Sequence, residues 1–332
     1  MKAYVINKYT KDGLQLADVS IPKVGDNEVL VEIHSASLNI LDSKIKKGEF
    51  KLLLPYKFPL ILGHDVAGII TQVGKKVKKF KAGDEIYSRP SDFHIGTFAQ
   101  YIAINENDVA LKPSNLTMEE AASIPLVALT AWQALVESAR LKKGEKVFIQ
   151  AGSGGVGTIA IQLAKHLGAT VATTAGTRSF ALVKALGADI SIDYKTQDFE
   201  TLLKDYDVVL NSQDNKTLEK SLNILKPEGK VISISGPPTP ELAKEIGLPW
   251  YLKVILSLIS FSIRSKAKKR LVDYKFLLMK ASGSQLDQIT KLIEADIIKP
   301  VVDKIYAFEQ TNEALEYVES GRAKGKVVIK IK

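Results

Sequence analysis

The fold is decided by the stretch 146–157, which reads Lys146-Val147-Phe148-Ile149-Gln150-Ala151-Gly152-Ser153-Gly154-Gly155-Val156-Gly157. Its first residues form a short apolar run typical of a buried strand, and its last six fit the pattern G-x-G-x-x-G. The residues that follow, 158–167, have apolar side chains at helical spacing. A strand, a glycine turn and a helix in this order predict a pyrophosphate-binding turn at a helix N-terminus. The alternative is a glycine-rich turn of an α/β domain that binds no nucleotide.

Strands and helices alternate beyond this turn. The sequence predicts strands at 170–174, 189–193, 207–210 and 230–235, with helices at 180–186, 199–204 and 217–225 between them. Alternation at these lengths favours right-handed βαβ units. We therefore expect an α/β domain with a doubly wound parallel sheet.

The first hundred residues have a different texture. They contain β-rich runs, including 28–37 and 66–73, with glycine and aspartate turn signals between them. Helical patterns begin after Pro113, where Thr117 and Glu120 have the spacing of a capping box. The tail returns to a helix at 312–320 and a final strand at 326–331. A chain of 332 residues suggests two domains.

Composition excludes several classes of protein. The chain has no cysteine, which excludes disulfides, thiolate-ligated zinc, iron–sulfur clusters and a cysteine nucleophile. The formal net charge of +9 favours an anionic partner, such as a phosphate-rich cofactor, nucleic acid or a membrane surface. The sequence shows neither a signal-peptide pattern nor a long spanning apolar run, so we expect a cytoplasmic protein.

The second strand of the α/β domain indicates which dinucleotide binds. A site that prefers NAD places an acidic residue at the end of this strand, where it holds the ribose 2′-hydroxyl. Thr174 stands there instead, and Arg178 follows it closely. An arginine attracts a 2′-phosphate that an acid would repel, so the sequence favours NADP(H). The alternative for Arg178 is a solvated residue at the start of the next helix.

Several motifs together resemble the medium-chain dehydrogenase/reductase superfamily, in its zinc-independent quinone oxidoreductase and NADPH-dependent enone (2-alkenal) reductase type. Besides the glycine turn, they are Gly63-His64-Asp65-Val66-Ala67-Gly68, Gly96-Thr97-Phe98-Ala99-Gln100-Tyr101, Ala128-Leu129-Thr130-Ala131 and Gly325-Lys326-Val327-Val328-Ile329. The resemblance covers nearly the whole chain. It implies a GroES-like catalytic domain made of residues 1–122 and 281–332, and a Rossmann NADP-binding domain at 123–280.

The resemblance also implies a set of cofactor contacts. They are Lys44, Thr130, Ser153, Gly154, Gly155, Val156, Thr174, Thr177, Arg178, Tyr194, Ser235, Gly236 and Lys326. Within this set, Gly155 and Val156 are expected at the pyrophosphate, and Thr177, Arg178 and Tyr194 at the 2′-phosphate. The alternative for Tyr194 is plain packing.

Two residues are the candidate catalytic groups. The run Asn39-Ile40-Leu41-Asp42-Ser43-Lys44 resembles the N-x-x-D-x-K motif that lies beside the nicotinamide in this family. We expect Lys44 near the enolate oxygen that develops on the substrate, and Asn39 hydrogen-bonded to the substrate or the nicotinamide ribose. The alternatives are an ordinary surface lysine and a structural turn residue.

No metal site is expected. Zinc-dependent relatives carry a cysteine where this chain has Ser37, and His64 matches the position of a zinc-ligand histidine. Without a cysteine partner, His64 is expected to be a core or hydrogen-bonding residue. A metal would need carboxylates such as Asp42 or Asp65 to complete its coordination.

The segment Leu248–Arg270 is apolar in its first part and basic in its last residues. The favoured interpretation is a hydrophobic lid or a helix that faces a dimer partner. The alternative is an amphipathic helix in weak contact with an anionic membrane surface.

The predicted function is reduction of quinones, or of the C=C bond of α,β-unsaturated carbonyl compounds, by hydride transfer from NADPH without zinc. The alternative is an NADPH- or RNA-binding protein of the same fold with little turnover. The chain lacks the aromatic-rich basic motif of a dedicated nucleic-acid site. The resemblance further implies a homodimer.

Overall fold

The computed structural model describes all 332 residues. The strands, in chain order, are β1 (Lys2–Ile6), β2 (Gln15–Asp18), β3 (Glu28–Leu38), β4 (Leu60–Ile61), β5 (Asp65–Val73), β6 (Glu85–Ser88), β7 (Tyr101–Asn105), β8 (Val109–Leu111), β9 (Lys146–Ile149), β10 (Thr170–Ala175), β11 (Ile190–Asp193), β12 (Tyr206–Asn211), β13 (Leu225–Ser233), β14 (Asp273–Phe276), β15 (Val302–Ala307) and β16 (Lys326–Lys330). The α-helices are α1 (Ile40–Lys46), α2 (Met118–Ala122), α3 (Pro125–Trp132), α4 (Gly155–His166), α5 (Phe180–Ala185), α6 (Phe199–Leu202), α7 (Asn215–Ser221), α8 (Pro240–Glu245), α9 (Trp250–Ile259), α10 (Phe261–Lys269), α11 (Gly283–Glu294) and α12 (Thr311–Glu319).

The chain divides into two compact units. Unit 1 comprises Met1–Leu129 and Lys280–Lys332, and unit 2 comprises Thr130–Met279. The predicted boundaries, after residue 122 and after residue 280, lie close to these. The first boundary falls inside helix α3, whose continuous apolar sequence offers no local signal for a junction.

Unit 1 contains two sheets. One has the strand order β2-β1-β4, and the other has the order β15-β16-β3-β5-β6-β8, with β7 also paired to β3. Strand β16, from the end of the chain, pairs antiparallel with β3, so that Val327 lies opposite Leu38. This pairing brings Lys326 to the C-terminal end of β3, where helix α1 begins.

The predicted capping box of unit 1 is confirmed at the start of α2. The Thr117 hydroxyl accepts the Glu120 N–H at 3.2 Å, and the Glu120 carboxylate accepts the Thr117 N–H at 3.0 Å. The pair satisfies two N–H groups that the first turn of a helix leaves without acceptors.

Unit 2 is built on one six-stranded sheet of the order β11-β10-β9-β12-β13-β14. All of its strand pairs are parallel, which confirms the predicted doubly wound α/β domain. Buried apolar side chains from strands and helices, such as Phe148, Val209, Val231 and Leu218, share one core. Because parallel strands end at one edge of the sheet, the loops after β9, β10, β12 and β13 lie along the edge where such sheets bind ligands.

Candidate functional site

The glycine turn of unit 2 has the geometry that its sequence predicts. Ala151 follows β9 with a φ of 50°, and its N–H donates to the Thr174 hydroxyl at 3.0 Å. The N–H of Gly152 donates to the Thr174 carbonyl at 2.8 Å, which fastens the turn to β10. A Cβ on Gly157 would lie 2.3 Å from the Ala151 carbonyl oxygen. Only glycine therefore allows α4 to start this close to the strand.

Helix α4 begins at Gly155, with Gly154 as its N-cap. The N–H groups of its first turn have no acceptor within the helix, and the helix dipole is positive at this end. Together with the turn, this end can hold a pyrophosphate. Thr174 contributes by fastening the turn through its hydroxyl, whereas the sequence prediction makes it a direct cofactor contact.

A polar cluster lies where β10 and β11 end. Ala175 and Asp193 are partners in the strand register. The Asp193 carboxylate accepts the Thr177 hydroxyl at 2.5 Å and the Lys195 N–H at 3.0 Å. The hydrogen bond from Thr177, followed by that from the Lys195 N–H, lowers the pKa of Asp193. The carboxylate is therefore ionised at neutral pH.

Arg178, Tyr194 and Lys195 are exposed around this carboxylate. The Lys195 ammonium lies 6.0 Å from the centroid of the Tyr194 ring. The Tyr194 side chain is 62% exposed, which excludes the plain packing that sequence analysis keeps as an alternative. The cluster offers two cations and an aromatic ring to an anionic group, as a 2′-phosphate requires.

Sequence reasoning missed two members of this cluster. It finds no acid at the end of β10, yet the strand register puts Asp193 of β11 beside that end. The carboxylate carries one negative charge, whereas Arg178 and Lys195 together carry two positive charges, so the cluster stays cationic. Lys195 is adjacent to the predicted Tyr194, and this adjacency is the signal that could have found it.

A buried hydrogen-bond chain lies at the ends of β12 and β13. The Asn211 amide donates to Gln150 Oε1 at 2.7 Å, and Asn211 Oδ1 accepts the Ser233 hydroxyl at 2.6 Å. The Gly236 N–H donates to that same hydroxyl at 2.8 Å, and the Ser235 hydroxyl donates to the Gln213 carbonyl at 2.6 Å. Ser235 and Gly236 are therefore held in a defined loop.

Two further residues of unit 2 bear on this loop. A Cβ on Gly236 would lie 2.7 Å from the Tyr274 hydroxyl, so glycine is required there. Asn211 is not among the predicted site residues, although it joins the two strand ends. Thr130, which is predicted near the nicotinamide, is buried in α3.

The buried core of unit 1 contains a dense polar network around Lys326. The ammonium donates to Asn39 Oδ1 at 2.5 Å, to Asp65 Oδ2 at 3.0 Å and to the Leu38 carbonyl at 3.1 Å. The Asn39 amide N–H donates in turn to Asp65 Oδ2 at 2.9 Å. All three N–H bonds of Lys326 are engaged. Its predicted contact with the cofactor stays a prediction, and the geometry favours a role in holding Asn39.

Asn39 is also the N-cap of α1. Its backbone N–H donates to Asp42 Oδ2 at 2.8 Å, and its side chain is used at both ends by Lys326 and Asp65. The hydrogen bond to a substrate or ribose that the sequence predicts would have to compete with these buried partners. In this structure Asn39 therefore acts as a structural residue, which is the alternative that the sequence analysis gives for it.

His64 and Asp42 form a second buried pair. Nδ1 of His64 lies 2.6 Å from Asp42 Oδ1, which also accepts the Gly63 N–H at 3.1 Å. Both oxygens of Asp65 accept hydrogen bonds, including one from the Leu126 N–H at 2.7 Å. The carboxylates that a metal at His64 would need are thus already bonded. No group of three or more His, Cys, Asp or Glu residues is placed to hold a metal ion.

Three lysines lie at the end of α1, and the structure distinguishes them. The ammonium groups of Lys46 and Lys47 lie 3.6 and 3.3 Å from the carboxylate of Glu319. Lys44 is half-buried, and its ammonium has no hydrogen-bond or ion-pair partner within the chain. An unpaired, partly buried cation is available to an oxygen that becomes negative. This contrast supports the functional interpretation of Lys44 over an ordinary surface lysine.

Six polar groups of unit 1 are buried with an unused hydrogen-bonding atom, and sequence reasoning considered only His64 among them as a candidate. They are His34 Nε2, Ser35 Oγ, Tyr56 Oη, His64 Nε2, Arg89 Nε and Thr97 Oγ1. Burial, reinforced by the negative charge of Asp92, raises the pKa of Tyr56, so its hydroxyl stays protonated. The side chain of Thr97 lies against Gly63, which has a φ of 105°. Such groups are expected to find a partner, because a buried unpaired polar atom is costly.

Comparison with known families agrees with this geometry. Residues 25–114 match the alcohol dehydrogenase GroES-like domain, and residues 186–329 match the zinc-binding dehydrogenase domain. The first match lies within unit 1. The second begins in the α/β sheet of unit 2 and continues to β16.

The chain is also similar, over 99–100% of its own length, to proteins of known sequence and structure. It is 35% identical to the NAD(P)H oxidoreductase RTN4IP1, mitochondrial, of Danio rerio, over 100% of this chain and 91% of that one. It is 34% identical to the NADPH-dependent alkenal/one oxidoreductase, chloroplastic, of Arabidopsis thaliana, over 99% and 79%. The structure of the quinone oxidoreductase from Coxiella burnetii superimposes with a TM-score of 0.85 at 29% identity, over 100% and 99%. This chain therefore belongs to the medium-chain dehydrogenase/reductase family, in its quinone oxidoreductase and enone reductase type.

Proposed function

We propose that this protein reduces quinones or the C=C bond of α,β-unsaturated carbonyl compounds with NADPH. The observation that carries the proposal is the glycine turn of unit 2 with an exposed basic cluster (Arg178 and Lys195) beyond the next strand. The names of the zebrafish, Arabidopsis and Coxiella relatives support it. When bound, the nicotinamide supplies the hydride, and the protein must stabilise the charge that develops on the substrate oxygen.

The roles of individual residues follow from their surroundings. We propose that the Lys44 ammonium binds the developing enolate or quinol oxygen, since it alone of the α1 lysines is unpaired. Lys326 and Asp65 hold Asn39, which caps α1 and thereby positions Lys44 one turn later. Asn39 is then a positioning residue.

The cofactor contacts divide between three loops of unit 2. The pyrophosphate binds at the N–H groups of the first turn of α4, next to Ser153 and Gly154. The 2′-phosphate binds to Arg178, Tyr194 and Lys195. The Thr177 hydroxyl donates its hydrogen bond to Asp193. Ser235 and Gly236 line the nicotinamide side. Thr130 is proposed for the same side, at the end of α3.

The experiment that tests this function follows the absorbance of NADPH, and separately of NADH, with a simple enone, a 2-alkenal and a 1,4-quinone. Turnover that prefers NADPH is the expected result. Quinone-only turnover would place the protein among the quinone reductases. Tight NADPH binding with no turnover would support the alternative of a cofactor- or RNA-binding protein, and no NADPH binding would contradict the proposal.

Replacing Lys44 by alanine is expected to lower kcat/KM for the reducible substrate about 100-fold, because one stabilising donor at an oxyanion is lost. The dissociation constant of NADPH, measured by fluorescence titration, should change much less. Lys44→Arg keeps the charge and should recover part of the rate. Lys47→Ala is the matched control on the same turn, and its kinetics should stay near those of the unmodified protein. Equal effects of the two alanine variants would remove Lys44 from the mechanism.

Dialysis against EDTA is expected to leave the reductase activity unchanged. The chain has no cysteine, and hydrogen bonds already occupy the carboxylates of Asp42 and Asp65. Atomic absorption on the active protein should find less than stoichiometric zinc. Activity that is lost on chelation and restored by zinc would show that a metal takes part.

Assembly and location belong to the same proposal. We propose a homodimer, and strand β14 at the end of the unit 2 sheet has a free edge within the chain that a second copy could extend. Light scattering after size exclusion measures the mass directly. The cytoplasmic location stays a prediction, since the similar zebrafish and Arabidopsis proteins carry mitochondrial and chloroplastic in their names.

A further inference from the structure

Helix α9 exposes apolar side chains where a surface helix usually exposes polar ones. Its buried stripe contains Leu252 and Leu256, which anchor it to unit 2. Trp250 is 78% exposed, Leu258 72%, and Phe261, at the start of α10, 66%. We call the exposed set the apolar face; its members are Trp250, Tyr251, Val254, Ile255, Leu258, Ile259 and Phe261. A contiguous apolar surface of this kind marks an interaction site.

The apolar face is held in place from its other side. The Arg264 guanidinium donates to the Ser260 hydroxyl at 3.0 Å and to the Ser257 hydroxyl and carbonyl at 2.9 and 3.1 Å. These bonds fix the junction of α9 and α10, while Ile263 and Ala267 bury the inner side of α10. The face is therefore a preformed surface.

The charges around the apolar face have one sign. No aspartate or glutamate occurs between residues 246 and 272. Two of the six basic residues of this stretch are engaged, Arg264 by serines and Lys266 by Glu219. The other four are exposed and have no ion-pair partner; they are Lys253, Lys268, Lys269 and Arg270. The surface thus joins an apolar face to an uncompensated positive charge.

An apolar face beside uncompensated positive charge favours some binding partners over others. A second copy of the chain seated by two-fold symmetry would place like charges against each other, which opposes association. A bilayer with anionic headgroups accepts apolar side chains below the headgroups and attracts lysine and arginine above them. Trp250 and Tyr251 are the side chains favoured at that boundary. No helix of this structure combines the length and apolar character that crossing a membrane requires, so any contact is peripheral.

We propose that the apolar face and the four free cations dock the protein onto an anionic membrane surface. The docking does not depend on the proposed function.

Co-sedimentation of the full-length protein with vesicles tests the proposal. The vesicles contain phosphatidylcholine alone, or phosphatidylcholine mixed with phosphatidylglycerol. The protein is expected to pellet with the mixed vesicles, far less with the neutral ones, and progressively less as salt rises. No binding to the mixed vesicles, or equal binding to both kinds, would overturn the proposal.

Three variants test the contribution of the apolar side chains, the contribution of the nearby cations, and the effect of lowering the net charge elsewhere on the protein. The apolar variant carries Trp250→Ser, Leu258→Ser and Phe261→Ser, and the cation variant carries Lys268→Gln, Lys269→Gln and Arg270→Gln. The control removes three exposed lysines of unit 1, with Lys8→Gln, Lys11→Gln and Lys75→Gln. Each cation near an anionic surface contributes about fivefold, so the cation variant should lose roughly 100-fold in partition coefficient. The apolar variant should lose about as much, and the control much less.

Two further readouts distinguish docking from the other roles of an apolar face. NADPH oxidation with a water-soluble substrate should be the same in the apolar variant and in the unmodified protein. Its loss without any vesicle binding would show a substrate lid instead. A dimer in light scattering that dissociates in the apolar variant would show an interface between copies. Either result would overturn membrane docking.

Discussion

Replacing Asp65 by alanine is expected to lower the free energy of unfolding by about 3–5 kcal/mol, because it leaves a buried cation without its counter-charge. The lost carboxylate accepts hydrogen bonds from Lys326, Asn39, Ser37 and the Leu126 N–H. The Lys326 side chain is only 5% exposed, so water cannot replace them. Denaturant titration of the full chain, followed by circular dichroism, measures the change.

A surface ion pair provides the matched control for Asp65. Asp26 lies 3.1 Å from the Lys76 ammonium with both side chains more than half exposed, so Asp26→Ala should cost less than about 1 kcal/mol. The double variant Asp65→Asn with Lys326→Met removes both charges and should be more stable than Asp65→Ala. If Asp65→Ala cost no more than Asp26→Ala, the network around Lys326 would not be an important source of stability.

Replacing Arg178 by alanine is expected to raise KM for NADPH about 10- to 100-fold and to leave KM for NADH nearly unchanged. A charge-assisted hydrogen bond to a phosphate contributes about 1.5–3 kcal/mol, and only NADPH carries the 2′-phosphate. Arg178 is exposed at the end of β10 and has no ion-pair partner in the chain, so its removal leaves no buried charge unpaired. Steady-state kinetics with both nucleotides and one substrate measure the effect.

Lys184 supplies the control for this variant. It is exposed on α5, a few residues beyond Arg178, and Lys184→Ala removes the same charge away from the cluster. Lys195→Ala should reproduce part of the Arg178 effect, because its ammonium lies beside Tyr194. A rise in KM of equal size for NADPH and NADH would contradict a 2′-phosphate contact and would place Arg178 elsewhere on the cofactor.

Local patterns predicted the α/β half of the molecule well. The glycine turn depends on a close approach that only glycine permits, since a Cβ on Gly157 would lie 2.3 Å from the carbonyl oxygen of Ala151, six residues earlier. The capping box at Thr117 is equally local, since its two partners are three residues apart. In both cases the atoms that determine the conformation lie close together in the sequence.

The candidate site was predicted less completely, because its groups meet through strand pairing. Asp193 reaches the end of β10 only through the parallel register of β11, and this changes the surroundings of Arg178. Asn39 was predicted as a catalytic group from its motif, yet its partners Asp65 and Lys326 occupy its side chain. The motif identifies Asn39 as an important residue, but it does not show which groups its side chain bonds to.

By itself, the sequence determined the order of strands and helices, the phosphate-binding turn and the absence of any cysteine chemistry. Those features depend on residue type and on spacing of a few positions. Only the tertiary structure decided which lysine is free. Glu319, far along the chain, pairs with Lys46 and Lys47 but not with Lys44. It likewise decided which side of α9 stays exposed, because α9 carries apolar side chains on more than one side, and the packing of unit 2 selects which of them are buried.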